Sequence, residues 1–179
     1  MPIKFELSND ARLRRQYFQL RQACFRRELN IPEFDGSEDQ HDQRGLLFLG
    51  HRDGQCIGGI RISSPQLCTL GPATELGIDA HQCCMWERFV LSPAVRNPDI
   101  FRDFCAALAA TSTEQGYDHA LVLSSRRNAR FYRQCHSALG IGFEILGQVQ
   151  ECAQGEFAQL EHYLSVAYLK ERAKVAIAA

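Results

Sequence analysis

Residues 119–125, HALVLSS, form a nearly continuous apolar run bounded on both sides by amphipathic helical patterns. A strand that reads apolar without alternation is covered on both faces, as happens where helices pack above and below a sheet. The flanking segments fit that arrangement. DIFRDFCAALAATSTEQG sets Ile100, Phe104 and Leu108 near one helical face and stops at Gly116, while RRNARFYRQCHSALG is a second helix ended by Gly140. The chain therefore predicts an α/β protein with a mixed central sheet and helices on both faces.

The remaining pattern fills in that sheet. IKFEL, at 3–7, alternates as a short strand. Ser8, Asn9 and Asp10 then cap a helix that sets Leu13, Tyr17, Leu20 and Cys24 at helical spacing and ends near Asn30, because Pro32 disfavours helix at Ile31. Residues 31–45 read as an acidic loop, and LLFLGHRDGQCIGGIRIS as a hairpin about the Asp53-Gly54 turn. From Ser64 to Gln82 the expectation is an inserted loop with at most a helical turn at Ala73 to Leu76. CCMWERFVLS follows as a strand, then the two helices and HALVLSS, and alternation returns at 143–149 and 160–169 before a Lys/Ala-rich tail.

Composition narrows the function classes. The length of 179 residues suits one domain, 1–179, and the formal net charge of −1 gives no global attraction to nucleic acid or an anionic membrane. The N-terminus lacks a signal pattern and no run approaches a membrane span, so the expected location is cytoplasmic. In that compartment the eight cysteines read as reduced small hydrophobes. His81, Cys83 and Cys84 cluster without a second pair, so no metal is expected. Phosphate-cradling glycine motifs, GxSxG and HExxH are absent, which removes P-loop, classical hydrolase and zinc-peptidase chemistry.

Four groups of residues can carry chemistry. Arg21 and Phe25, four apart on the first helix, share a face. The loop 31–45 holds Glu33, Asp35, Glu38, Asp39 and Asp42, without the ordered spacing of a calcium loop. Arg61 interrupts a strand on the face of Gly59 and Ser63, and the tandem Gly58-Gly59 permits close approach of a backbone or ligand. In MWERFVLSP, strict alternation sends Met85, Glu87, Phe89 and Leu91 to one face and Trp86, Arg88 and Val90 to the other. Glu87 and Arg88 then need separate partners, and Arg61 is the candidate for Glu87. The turn after this strand runs into a helix whose first amides offer a place for a pyrophosphate.

In this order the groups resemble the acyl-homoserine-lactone synthases, the LuxI-type autoinducer synthases of the GNAT acyltransferase fold. LRQACFRREL resembles the family's first-helix motif at Arg21 and Phe25, EDQHD its two aspartates at Asp39 and Asp42, GGIRISSP its strand ending in Arg61, and WERFVL its Arg-Phe strand at Arg88 and Phe89. LVLSS loosely continues the likeness and adds Ser124. The family acid lies three residues before its Arg, where this chain has Met85; Glu87 takes that role only through a bulge or another geometry. Ile31 stands where the family has Trp.

The resemblance implies a GNAT-like sheet with splayed middle strands, no metal, and an acyl group passed from acyl-CoA or a phosphopantetheine-linked acyl carrier protein (acyl-ACP) to a small-molecule amine. In the LuxI branch that amine is S-adenosylmethionine, and related N-acyl amino acid synthases use other acceptors. Glu87 is then the candidate base, backbone amides across Phe89, Val90 and Leu91 the oxyanion donors, and Arg21, Asp39, Asp42, Arg61 and Arg88 a charge network ordering the acidic loop. Two alternatives stand beside this. One is an acetyl-CoA-dependent GNAT N-acetyltransferase with Tyr132 as acid for the leaving thiolate, although SPAVRNPDIFRD lacks the usual pyrophosphate-loop glycines. The other is a non-catalytic GNAT-like domain that binds a ligand or partner through the acidic loop.

Overall fold

In the computed structural model, residues 2–149 and 155–170 are described; the Lys/Ala-rich tail lies outside them. The elements are β1 (Lys4–Leu7), α1 (Ala11–Glu28), α2 (Gln40–Arg44), β2 (Leu46–Arg52), β3 (Gln55–Ser63), α3 (Leu67–Glu75), β4 (Cys83–Leu91), α4 (Pro98–Glu114), β5 (His119–Ser124), α5 (Arg126–Ala138), β6 (Gly142–Gln148) and β7 (Tyr163–Tyr168). Seven strands form one sheet in the order β1-β2-β3-β4-β5-β7-β6. The β4–β5 pair is parallel and the other pairs are antiparallel.

Both faces of the sheet are covered, as the HALVLSS run requires. Ala120 and Val122 pack into a core with α4 and α5 residues such as Phe104, Leu108 and Tyr132. On the other face, Leu121 packs with Met85 and with Ala73 of α3, and a neighbouring cluster joins Leu13, Tyr17 and Phe25 of α1 to Leu47, Leu49 and Val90. The Asp53-Gly54 turn has both residues at positive φ, 52° and 72°, the geometry of a two-residue hairpin.

Two segments are more ordered than the sequence predicts. The acidic loop contains α2, whose first turn is a capping box: the Asp42 amide donates to Asp39 and the Asp39 amide to Asp42. The expected loop 64–82 carries the nine-residue helix α3 despite Gly71 and Pro72 inside it. Burial of Thr69 and Ala73 against the sheet outweighs their poor local propensity.

β4 departs from regular strand geometry twice. Its pairing with β5 ends at Trp86↔Val122, although β3 follows β4 to Leu91 and β7 follows β5 to Ser124. The two central strands therefore part beyond Trp86. In the same stretch Arg61 pairs with Glu87 and Gly59 with Val90, so Ile60 faces both Arg88 and Phe89 in a β-bulge, and Arg88 adopts φ 59°. This bulge corrects the alternation: it reverses the phase of the strand, sending Phe89 to the α4/α5 face and leaving Arg88 on the α1 face with Glu87.

Candidate active site

The predicted charged residues come together on the α1 face from α1, α2, β3 and β4. Arg21 projects from α1 into a position 1% exposed, where it grips Asp42 with two hydrogen bonds of 3.0 and 2.8 Å and donates to the carbonyls of Gly36 and Ser37. Arg61, almost as buried, donates to Asp42 at 3.0 Å, to Asp39 at 3.1 Å and to Glu87 at 3.1 Å. The expected Arg61–Glu87 partnership is present. Because Asp39 and Asp42 are also the cap and third residue of α2, the same two carboxylates order the acidic segment and neutralise two buried guanidinium groups.

The energetics follow from burial and pairing. Burial pushes the Asp42 carboxyl up, but hydrogen bonds from Arg21 and the Asp39 amide, with the charges of Arg21 and Arg61, outweigh it and hold it below the ordinary carboxylate value. Burial likewise disfavours the cations of Arg21 and Arg61; their anionic neighbours reverse this and raise both above the usual value. Glu87 accepts from Ser63 at 2.5 Å and Gln66 at 2.6 Å as well as from Arg61. Both its oxygens are engaged, so its first role in this geometry is to hold β3, the start of α3 and β4 together.

Arg88 differs from the other two arginines. Among the described residues its guanidinium makes no ion pair and no hydrogen bond; it lies over the ring of Phe157, 4.1 Å from the centroid, and 5.7 Å from that of Phe34. Burial and the charges of Arg61 and Arg21 push it below the usual arginine value. Its backbone is fixed by the Tyr17 hydroxyl, which donates to the Arg88 carbonyl at 2.7 Å. Burial raises that phenol to about 12, so it remains a donor. The Tyr17 ring reaches this point because Gly59 has no side chain: a Cβ there would meet Tyr17 Cδ2 at 3.0 Å and Leu49 Cδ2 at 2.5 Å.

The other expected residues divide between the faces. Phe25 packs on Phe34 and Phe157, with centroids 5.0 and 6.2 Å away, while Arg21 lies over Tyr17 and Phe18. Val90 joins the α1-side core. Phe89 packs across the sheet against Phe101, Phe104 and Tyr132. Tyr132 is buried, which raises its hydroxyl well above the ordinary value and keeps it protonated. Ser124 ends β5, where its hydroxyl donates to the Ser125 carbonyl.

The strand exit is also specific. The Leu91 carbonyl accepts from Arg96, which pairs with Glu28 at the end of α1. The expected pyrophosphate seat at α4 is largely closed: Pro98 has no amide hydrogen, the Asn97 side chain takes the Ile100 amide, and Asp99 adds a negative charge in the first turn.

Sequence reasoning missed Ser63, Gln66, Phe34 and Phe157 as parts of this site. Ser63 had a signal, being on the face of Arg61. Phe157 had none, since it arrives from the β6–β7 connection.

A V-shaped opening between parallel neighbours, with a bulge beside it, is a feature that fold comparison can test. The acyl-homoserine lactone synthase LasI superposes with a TM-score of 0.65 at 16% identity, over 94% of this chain and 90% of that one. The fold is GNAT-like. The CoA-dependent acyl-homoserine lactone synthase BjaI, solved with SAM and isopentyl-CoA, gives 0.65 at 17% identity over 89% and 77% of the two chains. An aminoglycoside 6'-acetyltransferase type Ii gives 0.62 at 14% identity over 96% and 99%. No family model and no curated protein matches the sequence. Among the described residues no group of three His, Cys, Asp or Glu side chains is placed to hold a metal ion, and no helix is long and apolar enough to cross a membrane.

Proposed function

We propose that this chain is an N-acyltransferase that moves an acyl group from a thioester to a small-molecule amine. The observation that carries the reading is the opening between β4 and β5 beyond Trp86, with the Arg88 bulge on its rim. A thioester on a phosphopantetheine arm lies along the unpaired edge of β4, and the amine approaches from the α1 face. Nucleophilic attack on the carbonyl makes a tetrahedral oxyanion, which backbone amides of Phe89 to Leu91 stabilise. The amine proton passes to Glu87, with the Ser63 hydroxyl, already hydrogen-bonded to that carboxylate, as relay. Collapse expels the thiolate, which takes its proton from solvent, or from Tyr132 in the acetyl-CoA alternative. The network of Arg21, Asp39, Asp42 and Arg61 holds α2 over this region and excludes water.

The narrower autoinducer-synthase reading rests on the correspondence of Arg21, Phe25, Asp39, Asp42, Arg61, Arg88 and Phe89 with that family's motifs, and on LasI and BjaI sharing the fold. It would make S-adenosylmethionine the acceptor. The closed N-terminus of α4 favours a donor held by its pantetheine arm, as on an acyl carrier protein, over one held by the CoA pyrophosphate. The acetyl-CoA reading draws on Tyr132 being kept protonated beside Phe89.

Thiol release is measured with acetyl-CoA, long-chain acyl-CoA and acyl-ACP in the presence of a cell extract as amine source, with mass spectrometry of the products. Release and an N-acyl product with a long-chain donor support the reading; turnover with acetyl-CoA alone selects the acetyltransferase alternative. Binding without turnover overturns acyl transfer in favour of a ligand-binding domain. Glu87→Gln is expected to lower turnover roughly 10²- to 10⁴-fold, with urea unfolding measured beside it because Glu87 also pairs with buried Arg61; near-normal turnover removes Glu87 as the base.

A further inference from the structure

The two oxygens of Glu87 are held in different ways. Oε2 accepts from Arg61 at 3.1 Å and from the Ser63 hydroxyl at 2.5 Å, whereas Oε1, among the described residues, accepts only from the Gln66 side-chain amide at 2.6 Å. Chemistry fixes the orientation of that amide: an ionised carboxylate only accepts, so the NH2 group faces it. The Gln66 Oε1 atom is turned away and accepts from the Cys68 thiol at 3.7 Å. Gln66 reaches this point as the N-cap of α3, yet its side chain makes no cap hydrogen bond. Its backbone seats the helix on Met85: the Gln66 amide and the Thr69 hydroxyl donate to the buried sulfur at 3.3 and 3.5 Å. Met85 and Glu87 share a face of β4, one pair of residues apart, so a helix that lands on the first delivers its cap side chain to the second. The chain thus keeps a helix with Gly71 and Pro72 inside it at this place, and spends its cap residue on a carboxylate of another strand.

We infer that Gln66 is a positioning residue for the proton relay, and that α3 is the element that brings it to Glu87. The inference rests on the acyl-transfer reading. In the relay the amine N–H bond breaks as its proton reaches the Ser63 oxygen, and the Ser63 O–H bond breaks as that hydroxyl's own proton reaches Glu87 Oε2. The transfer needs Oε2 turned toward Ser63 throughout. A carboxyl group rotates broadly about its terminal bond, and a half turn exchanges the two oxygens and breaks the line from Ser63. Gln66, fastened to Oε1, opposes that turn. Its N–H suits both ends of the transfer, because Oε1 accepts as part of the carboxylate beforehand and as a carbonyl oxygen once Oε2 carries the proton. Arg61 cannot serve in this way, since both of its contacts are to Oε2, the oxygen that becomes protonated.

The test measures thiol release by the full chain with acetyl-CoA, octanoyl-CoA and octanoyl-ACP as donors, and S-adenosylmethionine or a cell extract as the amine source. Two variants separate positioning from support of the helix. Gln66→Met keeps the length of the side chain without its donor. Gln66→Ser supplies a better N-cap for α3 but cannot reach Glu87. Both should lower kcat roughly ten- to a hundred-fold and leave the donor KM within about two-fold, and Gln66→Ser should do so with no loss of stability in urea unfolding. Gln66→His, which keeps a neutral N–H donor, should recover most of the kcat. In a Glu87→Gln background neither Gln66→Met nor Gln66→Ser should lower kcat further, because Gln66 acts through Glu87. Near-normal kcat in Gln66→Ser, or the same fold-loss in both backgrounds, overturns the inference and leaves acyl transfer standing. No thiol release with any donor overturns acyl transfer, and the relay with it.

Discussion

Replacing Asp42 with Asn gives the sharpest test of how the site is held together. Asp42 is fully buried and accepts two hydrogen bonds from Arg21, one from Arg61 and one from the Asp39 amide. Asn matches its shape but turns an amide hydrogen toward two guanidinium groups and removes the charge they share. Breaking one partner of a buried ion pair costs about 3–5 kcal/mol, because it strands the other charge in a poorly solvating interior. For a domain of this size that is a fall in Tm of roughly 6–20 °C. The loss also carries a pH signature. Asp42 is held below its ordinary value of 3.8, so its contribution is fully present above about pH 4 and disappears as pH falls through the lowered value. Urea unfolding of wild type, Asp42→Asn, Arg21→Met and the double variant at pH 7 measures the coupling, expected above about 1 kcal/mol. A single-variant loss under about 1 kcal/mol, or additive losses, would refute the claim that this pair carries the local structure.

Tyr17→Phe removes the hydroxyl that fixes the bulge and leaves the Arg88 carbonyl without that donor; a loss of about 1–3 kcal/mol is expected in urea unfolding, together with a higher acceptor KM. His136 is buried against the Trp86, Tyr132 and Phe143 rings, and burial lowers it from 6.5. The fold thus favours the neutral ring, and stability should fall as pH drops below about 6.5 by up to about 1.4 kcal/mol per unit. His136→Phe should flatten that slope between pH 6.5 and 5; an unchanged slope assigns it to other groups. Acyl-pantetheine should approach acyl-CoA in kcat/KM to within about thirty-fold, since a helix N-terminus contributes at most about 2 kcal/mol to anion binding and this one is closed; a thousand-fold preference for acyl-CoA rejects that reading.

The α/β class, the two-sided cover of β5 and the Arg61–Glu87 pair were legible in the sequence because each depends on local spacing or on a chemical need, whereas the wider charged cluster was implied by the family resemblance. HALVLSS can be stable only when covered on both faces, and Arg61 in a buried strand must find an acid. Asp39 and Asp42 stood out from the other acids of their loop only through the resemblance, and their capping of α2 was not foreseen. What eluded the sequence was phase and distance. Alternation assigns Glu87 and Arg88 to opposite faces, yet the bulge opposite Ile60 is imposed by close approach at Gly58 and Gly59 and by the Tyr17 hydroxyl, all from other elements. Helix α3 forms through burial against Met85 and its neighbours, where local propensity alone argues for a loop.

By itself, then, the sequence determined which side chains must be paired and which runs must be buried, since charge and hydrophobic periodicity act over a few residues. Only the tertiary structure decided that Arg88 lies on the same face as Glu87, with Phe157 beneath it. Strand phase at a bulge and the landing point of a connection some seventy residues downstream are set by packing between elements, which no local pattern encodes.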